Sequence, residues 1–296
     1  MLVRIMFDKK IGLLLLLLKI SAVSAQNISI PMDLVKWEYK GDQFQCLLNQ
    51  NVNKFRQLTF IAEPNDKLTL KVENSQILKH IDSASLYISD APWAVENKPV
   101  LIGTGQVAAP HVLTFDQSVG ELLRAMSNGK WGQYVISYRS QSEPVSVELP
   151  SIRITEPLNQ FNRCRSSLPA MSYKQARDMV LSFELGQRVV DKRQKHSLVQ
   201  LADYVKADKK VRNILIDGHT DNVGPSLANL QISKVRADDV ASILEEAGVK
   251  PSLLEVRSHG SRYPVAGNTT DEGKALNRRV TVRVIRSAPN EESKVH

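Results

Sequence analysis

Hydrophobic and polar residues alternate with a period of two along much of the first half of the chain. Leu68, Leu70 and Val72 alternate with Thr69, Lys71 and Glu73, the pattern of a strand with one buried and one wet face. Tyr134, Ile136 and Tyr138 repeat the pattern, and Val145, Val147 and Leu149 follow. One helix is predicted among these strands. Val119, Leu122, Leu123 and Met126 fall at i, i+3, i+4 and i+7, with Asp116 or Ser118 as cap and Gly129 as stop. Pro92, Pro99, Pro110 and Pro144 interrupt the run, which favours short antiparallel strands over a parallel sheet.

After Cys164 the periodicity changes. Val180, Leu181 and Phe183 suggest a strand; Leu198, Leu201, Ala202 and Val205 suggest a helix; Ile214–Ile216 reads as a buried strand. A longer helix carries Ile232, Val235, Val240, Ile243, Leu244 and Ala247 on one stripe and stops at Gly248. Strands over 254–257 and 280–284 complete a βαβαββ order. The predicted class is α+β: a mostly antiparallel β domain with one helix over residues 26–168, then an α/β sandwich over 169–289 with two helices on one face of its sheet. Residues 290–296 read as a flexible tail.

The first residues change the reading of the rest. Arg4, Lys9 and Lys10 precede the apolar run Ile11–Leu18, and Val23-Ser24-Ala25 has the spacing a signal peptidase reads. Eight apolar residues before Lys19 are far short of the ~20 that span a bilayer, so residues 1–25 are expected to be a cleaved leader. Its removal takes the formal charge of the 296-residue chain from +8 to +5, too mild to argue for nucleic acid. Position 26 is Gln, not the cysteine a lipid anchor needs. In an oxidising compartment Cys46 and Cys164, the only two thiols, are expected to form a disulfide; two buried free thiols are the alternative.

The candidate chemistry begins at Gly218-His219-Thr220-Asp221-Asn222-Val223-Gly224 and continues through Asn229, Ile232-Ser233 and Arg236-Ala237. Asp221 falls just past a buried strand and Arg236 fifteen residues later, in the early turns of the next helix. A carboxylate and a guanidinium brought together there suit the ammonium and carboxylate of an amino acid, with the Arg fork taking the carboxylate. A plain salt bridge between the two is the competing reading. His219 with Asp221 lacks a third metal ligand; His219 is expected to brace the loop. Arg278, Arg279, Arg283 and Arg286 read as a solvated basic face.

These motifs, with Gly267-Asn268 and Leu276-Asn277-Arg278-Arg279-Val280, resemble the OmpA-like peptidoglycan-binding domain. Ile232 stands where that family usually has Leu. The resemblance implies that Asp221 and Arg236 bind the free zwitterionic end of meso-diaminopimelate in peptidoglycan stem peptides, with Thr220, Asn229, Asn277 and Arg278 lining or bracing the site. It implies neither catalytic residue nor cofactor nor metal. No hydrolase or phosphate-loop signature is present, so recognition without turnover is expected.

The N-terminal half narrows the system. Ala91-Pro92-Trp93, Trp131-Gly132-Gln133-Tyr134 and Phe161-Asn162-Arg163-Cys164 resemble the MotY family of periplasmic proteins of the sodium-driven flagellar motor. That family also pairs cysteines placed as Cys46 and Cys164 are. The resemblance implies a periplasmic protein of the Gram-negative envelope, joining a ring on the flagellar basal body near the outer membrane. Its partners would be ring proteins such as MotX and the stator B subunit, whose assembly it would support. An envelope protein tethering another complex, or a wall hydrolase with a binding module, are the alternatives. Trp93 and Trp131 are expected to be core or strand anchors rather than contact residues, and Gly103-Thr104-Gly105 a turn.

Overall fold

The computed structural model describes residues 26–53, 56–74, 81–94, 98–139 and 143–287. The leader expected over 1–25 and the tail expected over 290–296 lie outside them. The alternating segments of the first half form strands β1 (Gln26–Ile28), β2 (Trp37–Gly41), β3 (Cys46–Asn53), β4 (Arg56–Glu63), β5 (Lys67–Asn74), β6 (Ile81–Ser89), β7 (Val100–Thr104), β8 (Gln106–Ala109), β9 (Val112–Phe115), β10 (Trp131–Tyr138) and β11 (Val145–Leu149). One sheet has the order β1-β11-β10-β6-β7 and the other β2-β3-β4-β5-β9-β8. Their pairings are antiparallel except that of β1 with β11. The alternation decides what is inside: Leu70 and Val72 of β5 are buried with Leu48, Phe60, Phe115, Tyr134 and Ile136 in a single core.

Helix α1 (Val119–Ser127) buries the four predicted residues. Neither expected cap acts through its side chain. Ser118 occupies the cap position at φ +54 without a side-chain bond, and Asp116 accepts instead from Thr69 Oγ1 at 2.6 Å. Two further helices were not anticipated: α2 (Thr155–Ser167) and α3 (Tyr173–Arg177). Helix α2 has a weak apolar stripe, burying only Leu158 and Phe161, which is why periodicity does not mark it. Its Cys164 is bonded to Cys46 of β3, across a sequence separation of 118.

The second half builds a separate core. Strand β12 (Asp178–Ser182), helix α4 (Lys192–Ala207), strand β13 (Val211–Gly218), helix α5 (Ser226–Glu246), strand β14 (Leu254–Ser258), helix α6 (Asp271–Asn277) and strand β15 (Arg279–Arg286) follow in turn. The expected order is thus extended by α6, a two-turn helix whose Thr270 Oγ1 accepts from Gly273 N at 3.1 Å. The sheet order is β12-β15-β13-β14; β15 runs antiparallel to both neighbours and β14 parallel to β13. One face, with Leu181, Ile214, Ile216, Val280, Val282 and Val284, is buried under α4 and α5. This topology brings the C-terminal ends of β12, β13 and β14 and the N-terminal end of β15 to one end of the sheet, where the four associated loops meet.

Candidate functional site

Helix α5 crosses the end of β13 so closely that a Cβ on Gly218 would lie 2.1 Å from the Ser233 carbonyl oxygen. Glycine is therefore required where the strand hands over to His219-Thr220-Asp221. Those three side chains are buried. The Asp221 carboxylate is fixed from two sides: Oδ1 accepts from Val223 N at 3.2 Å, and Oδ2 accepts from Arg278 Nη1 at 2.9 Å. The plain salt bridge between Asp221 and Arg236, the competing reading of the pair, is not among the ion pairs of the described residues; Asp221 pairs with Arg278 instead. Arg278 lies immediately before β15 and reaches Asp221 because β15 and β13 are neighbours, a proximity that no sequence spacing encodes.

Arg236 sits in the third turn of α5, midway along the helix rather than in its early turns. The helix begins at Ser226, and its buried stripe differs from the expected one: Asn229, Ser233 and Arg236 face inward ahead of Ala237, Val240 and Leu244. Ile232 and Val235 are only half-buried. The Arg236 guanidinium lies over the Phe183 ring, 4.9 Å from its centroid. Its Nε and Nη2 donate to the Gln187 carbonyl at 2.9 and 2.8 Å, and Nη1 to the His219 carbonyl at 3.4 Å. Among the described residues it has no carboxylate partner, and part of its five-donor fork is uncommitted. Burial, and then the neighbouring Arg278, push its pKa down to about 10 against the pull of Asp221, so it stays charged at neutral pH.

A cleft of about 240 Å³ joins these groups, lined by Thr220, Asp221, Asn229, Arg236 and Arg278 together with the Leu185–Arg188 loop. Thr220 Oγ1 and Asn229 Nδ2 are buried in its wall without a hydrogen-bond partner among the described residues. Two guanidiniums thus face one carboxylate beside an unused hydroxyl and an unused amide. The arrangement favours a ligand bearing carboxylate and a hydrogen-bonding amine. The set offers no metal cage, and among the described residues no group of His, Cys, Asp and Glu could hold an ion.

Of the sequence candidates, Asn277 alone is absent from the cleft wall. Its Oδ1 accepts from Val265 N and Ala266 N at 2.8 and 3.2 Å, and its Nδ2 donates to the Ala266 carbonyl and to Asn268 Oδ1. Asn268 Oδ1 in turn accepts from Asn222 N at 3.3 Å, so Asn277 braces the loop beside Asp221. His219 stacks on His259 with ring centroids 4.9 Å apart, and His259 meets Asp217, which Arg257 also grips in bidentate fashion. The arginines read as one solvated face separate into different roles. Arg278 holds Asp221, Arg279 is buried against main-chain carbonyls, Arg286 pairs with buried Asp208, and only Arg283 is well exposed. Phe183 was read only as a strand residue, and the Leu185–Arg188 loop went unnoticed in the sequence. Their only signal is a Gly-containing polar stretch directly after a strand, which marks any loop.

Residues 29–169 match the family described as the MotY N-terminal domain, and residues 182–278 match the OmpA family. The sodium-type flagellar protein MotY of Vibrio parahaemolyticus is 23% identical over 261 residues, covering 85% of this chain and 88% of that protein. Peptidoglycan-binding protein ArfA of Mycobacterium tuberculosis is 40% identical over 87 residues, 29% of this chain and 26% of its own. Among solved structures, the peptidoglycan-associated lipoprotein from Burkholderia pseudomallei is 30% identical, with a TM-score of 0.34, over 40% of this chain and 94% of that one.

Proposed function

From the premise that this chain joins a MotY N-terminal domain to an OmpA-family domain and so belongs among the MotY-like flagellar motor proteins, we propose that it ties the flagellar basal body to the cell wall in the periplasm. The OmpA-family domain grips peptidoglycan through the unlinked end of meso-diaminopimelate in stem peptides. The N-terminal domain docks on the basal body with ring proteins such as MotX, and the tether supports stator units as they assemble. No bond in the wall is made or broken.

The observation that carries the wall-binding half is the underused polarity of the cleft. Among the described residues, Arg236 is buried without a counter-carboxylate, and Thr220 Oγ1 and Asn229 Nδ2 are buried without hydrogen-bond partners. Leaving such groups unpaired costs about 1–3 kcal/mol each, a cost that a ligand removes. A diaminopimelate end fits the charges: its carboxylate meets the free edge of the Arg236 fork, and its ammonium meets Asp221 and the Thr220 hydroxyl. Crosslinking acylates that amine and removes its charge while leaving the carboxylate, so the intact zwitterionic end marks open positions in the polymer.

The test is sedimentation of the purified protein with isolated peptidoglycan, competed by free meso-diaminopimelate. Asp221→Asn, which keeps an amide oxygen to accept from Arg278, is expected to lose sedimentation while remaining folded at the assay temperature. Undiminished binding by that variant, or indifference to the competitor, would remove the site from the proposal. Motility of a deletion strain separates this reading from a general wall tether: normal swimming would leave only the tether.

A further inference from the structure

The loop between β12 and α4 carries a cation that the zwitterion-binding groups leave unused. Arg188 lines the cleft, is exposed, and its side chain makes no hydrogen bond or ion pair among the described residues. Its position is nonetheless fixed. The side chain of neighbouring Gln187 accepts from Glu184 N at 2.8 Å and donates to Gln194 Oε1 of α4 at 3.0 Å, while its carbonyl takes two bonds from Arg236 of α5. On the other side Val190 N donates to Asp239 Oδ2 of α5 at 2.7 Å. The loop is thus pinned to both helices around Arg188. Of the acids flanking it, Asp191 caps α4 by accepting from Gln194 N at 2.8 Å, and Glu184 lines no part of the cleft.

The cleft is layered from floor to mouth. Thr220, Asp221, Asn229 and Arg236 are its buried floor. Leu185 and Val223 line it too, yet are 79% and 55% exposed, and form an apolar collar. Arg188 stands at the same open mouth. Across the lining, the guanidiniums of Arg188, Arg236 and Arg278 face a single carboxylate, that of Asp221. A zwitterionic end carries no net charge, so seating one on the floor does not balance this excess. A further carboxylate on the same ligand does. Stem peptides hold two of them: the α-carboxylate of the γ-linked D-glutamate that precedes diaminopimelate, and the carboxylate that ends the stem. The methylene run of diaminopimelate separates its zwitterionic end from that acidic backbone, as the collar separates the floor from Arg188.

We propose that Arg188 is a specificity residue of the cleft that takes a second carboxylate of the stem peptide, so that the site recognises diaminopimelate within an acidic stem and not its zwitterionic end alone. This rests on the wall-binding reading above. The guanidinium fork is always charged and matches a carboxylate in bidentate fashion. At an exposed rim the pair is modest in strength and screened by salt, so its effect is a choice among stems: one amidated at that carboxylate is bound less well.

The experiment measures, by titration calorimetry at low salt, binding of the whole protein to soluble L-alanyl-γ-D-glutamyl-meso-diaminopimelyl-D-alanine. Two analogues are compared, one amidated at the D-glutamate α-carboxylate and the other at the C-terminus. At least one analogue is expected to bind the parent about fivefold more weakly, and the weaker one identifies the carboxylate. Arg188→Ala should bind the unmodified stem about fivefold more weakly and lose the preference between stem and analogue, with an unchanged thermal midpoint because the side chain is exposed and unpaired. Parent indifference to both amidations, parent-like affinity of Arg188→Ala for the stem, or an equal loss toward all three peptides in that variant overturns the role of Arg188. Each of these leaves the wall-binding reading in place when Asp221→Asn abolishes binding of the stem. A parent that binds none of the peptides overturns both.

Discussion

At Asp221 the carboxylate is spoken for twice by protein groups before any ligand arrives, and Arg278 is the stronger of the two holds. Removing Arg278 would leave Asp221 buried without its counter-charge, a change that costs about 3–5 kcal/mol when nothing replaces the partner. Arg278→Ala should therefore lower stability in urea as well as wall binding, and Asp221→Ala should do the same, because it leaves two largely buried guanidiniums without a counter-carboxylate; an unchanged urea midpoint in either variant would contradict this pairing. His219 supplies a second prediction. Burial, and then the charges of Arg279 and His259, lower its pKa from 6.5 to about 4, so the folded protein prefers the neutral ring. The unfolded chain takes the proton first as pH falls, and stability is lost between about 6.5 and about 4. The loss approaches about 3 kcal/mol at the lower end. His219→Gln should flatten that limb in urea titrations at stepped pH, and an unchanged difference between the two proteins across the window would refute the assignment.

Among the elements, α5 is two helices in one. Its first half buries Asn229 and Arg236 at the cleft and Ser233 against Gly218 and Gly260, and its second half buries Val240, Ile243 and Leu244 in the core. The close crossing at Gly218 fixes where the polar half meets β13, and Ser233 Oγ accepts from Gly260 N at 3.0 Å on the other side. Gly218→Ala must push the helix away, at a cost of about 3 kcal/mol, and should blunt peptidoglycan sedimentation along with the urea midpoint. Helix α2 works differently, since its small apolar stripe is supplemented by a covalent bond. Closing a loop of 118 residues is worth about 4–5 kcal/mol in the chain-entropy account. A Cys46→Ser, Cys164→Ser double variant should lose stability of that order, and thiol labelling of the denatured, unreduced parent should find no free thiol. Two reactive thiols per chain would exclude the bond.

Across the whole molecule, the hairpin between β2 and β3 is one point where the two halves touch, and the β4–β5 turn, whose Asn65 N donates to the Pro169 carbonyl at 3.4 Å, is another. Phe44 from that hairpin belongs to the partly buried fringe of the C-terminal core. Its ring lies 5.6 Å from that of Tyr204, and the Arg286 guanidinium is 6.0 Å from its centroid. Arg286 in turn covers Tyr173 at 3.8 Å and pairs with buried Asp208. The hairpin is rooted beside the Cys46–Cys164 bond, where a Cβ on Gly41 would lie 2.8 Å from Cys164 Sγ. The disulfide and Phe44 therefore hold one relative orientation of the wall-binding and docking halves. Phe44→Ala should widen the solution scattering radius and increase cleavage near residues 168–172 while leaving peptidoglycan sedimentation intact. Unchanged scattering and proteolysis would show that Phe44 does not couple the halves.

Strands β5, β10 and β11, helix α1 and the βαβ core of the second half were legible because each announces itself in a local period, 2 or 3.6, that burial enforces. Asp221, Thr220, Asn229 and Arg236 were legible through the strand–loop–helix motif that presents them. Helices α2 and α6 were not, since a disulfide and a threonine cap hold them where an apolar stripe would otherwise be needed. The partner of Asp221 was not legible either. Arg278 is 57 positions away and becomes adjacent only when β15 inserts between β12 and β13. Trp93, expected as a core or strand anchor, is 65% exposed with its ring edge-on to buried Trp131, and this was hidden for the same reason, because whether an aromatic ring is covered depends on what the folded chain packs over it. Local sequence determines the elements and the residue types they offer; the order of strands determines which of those residues meet.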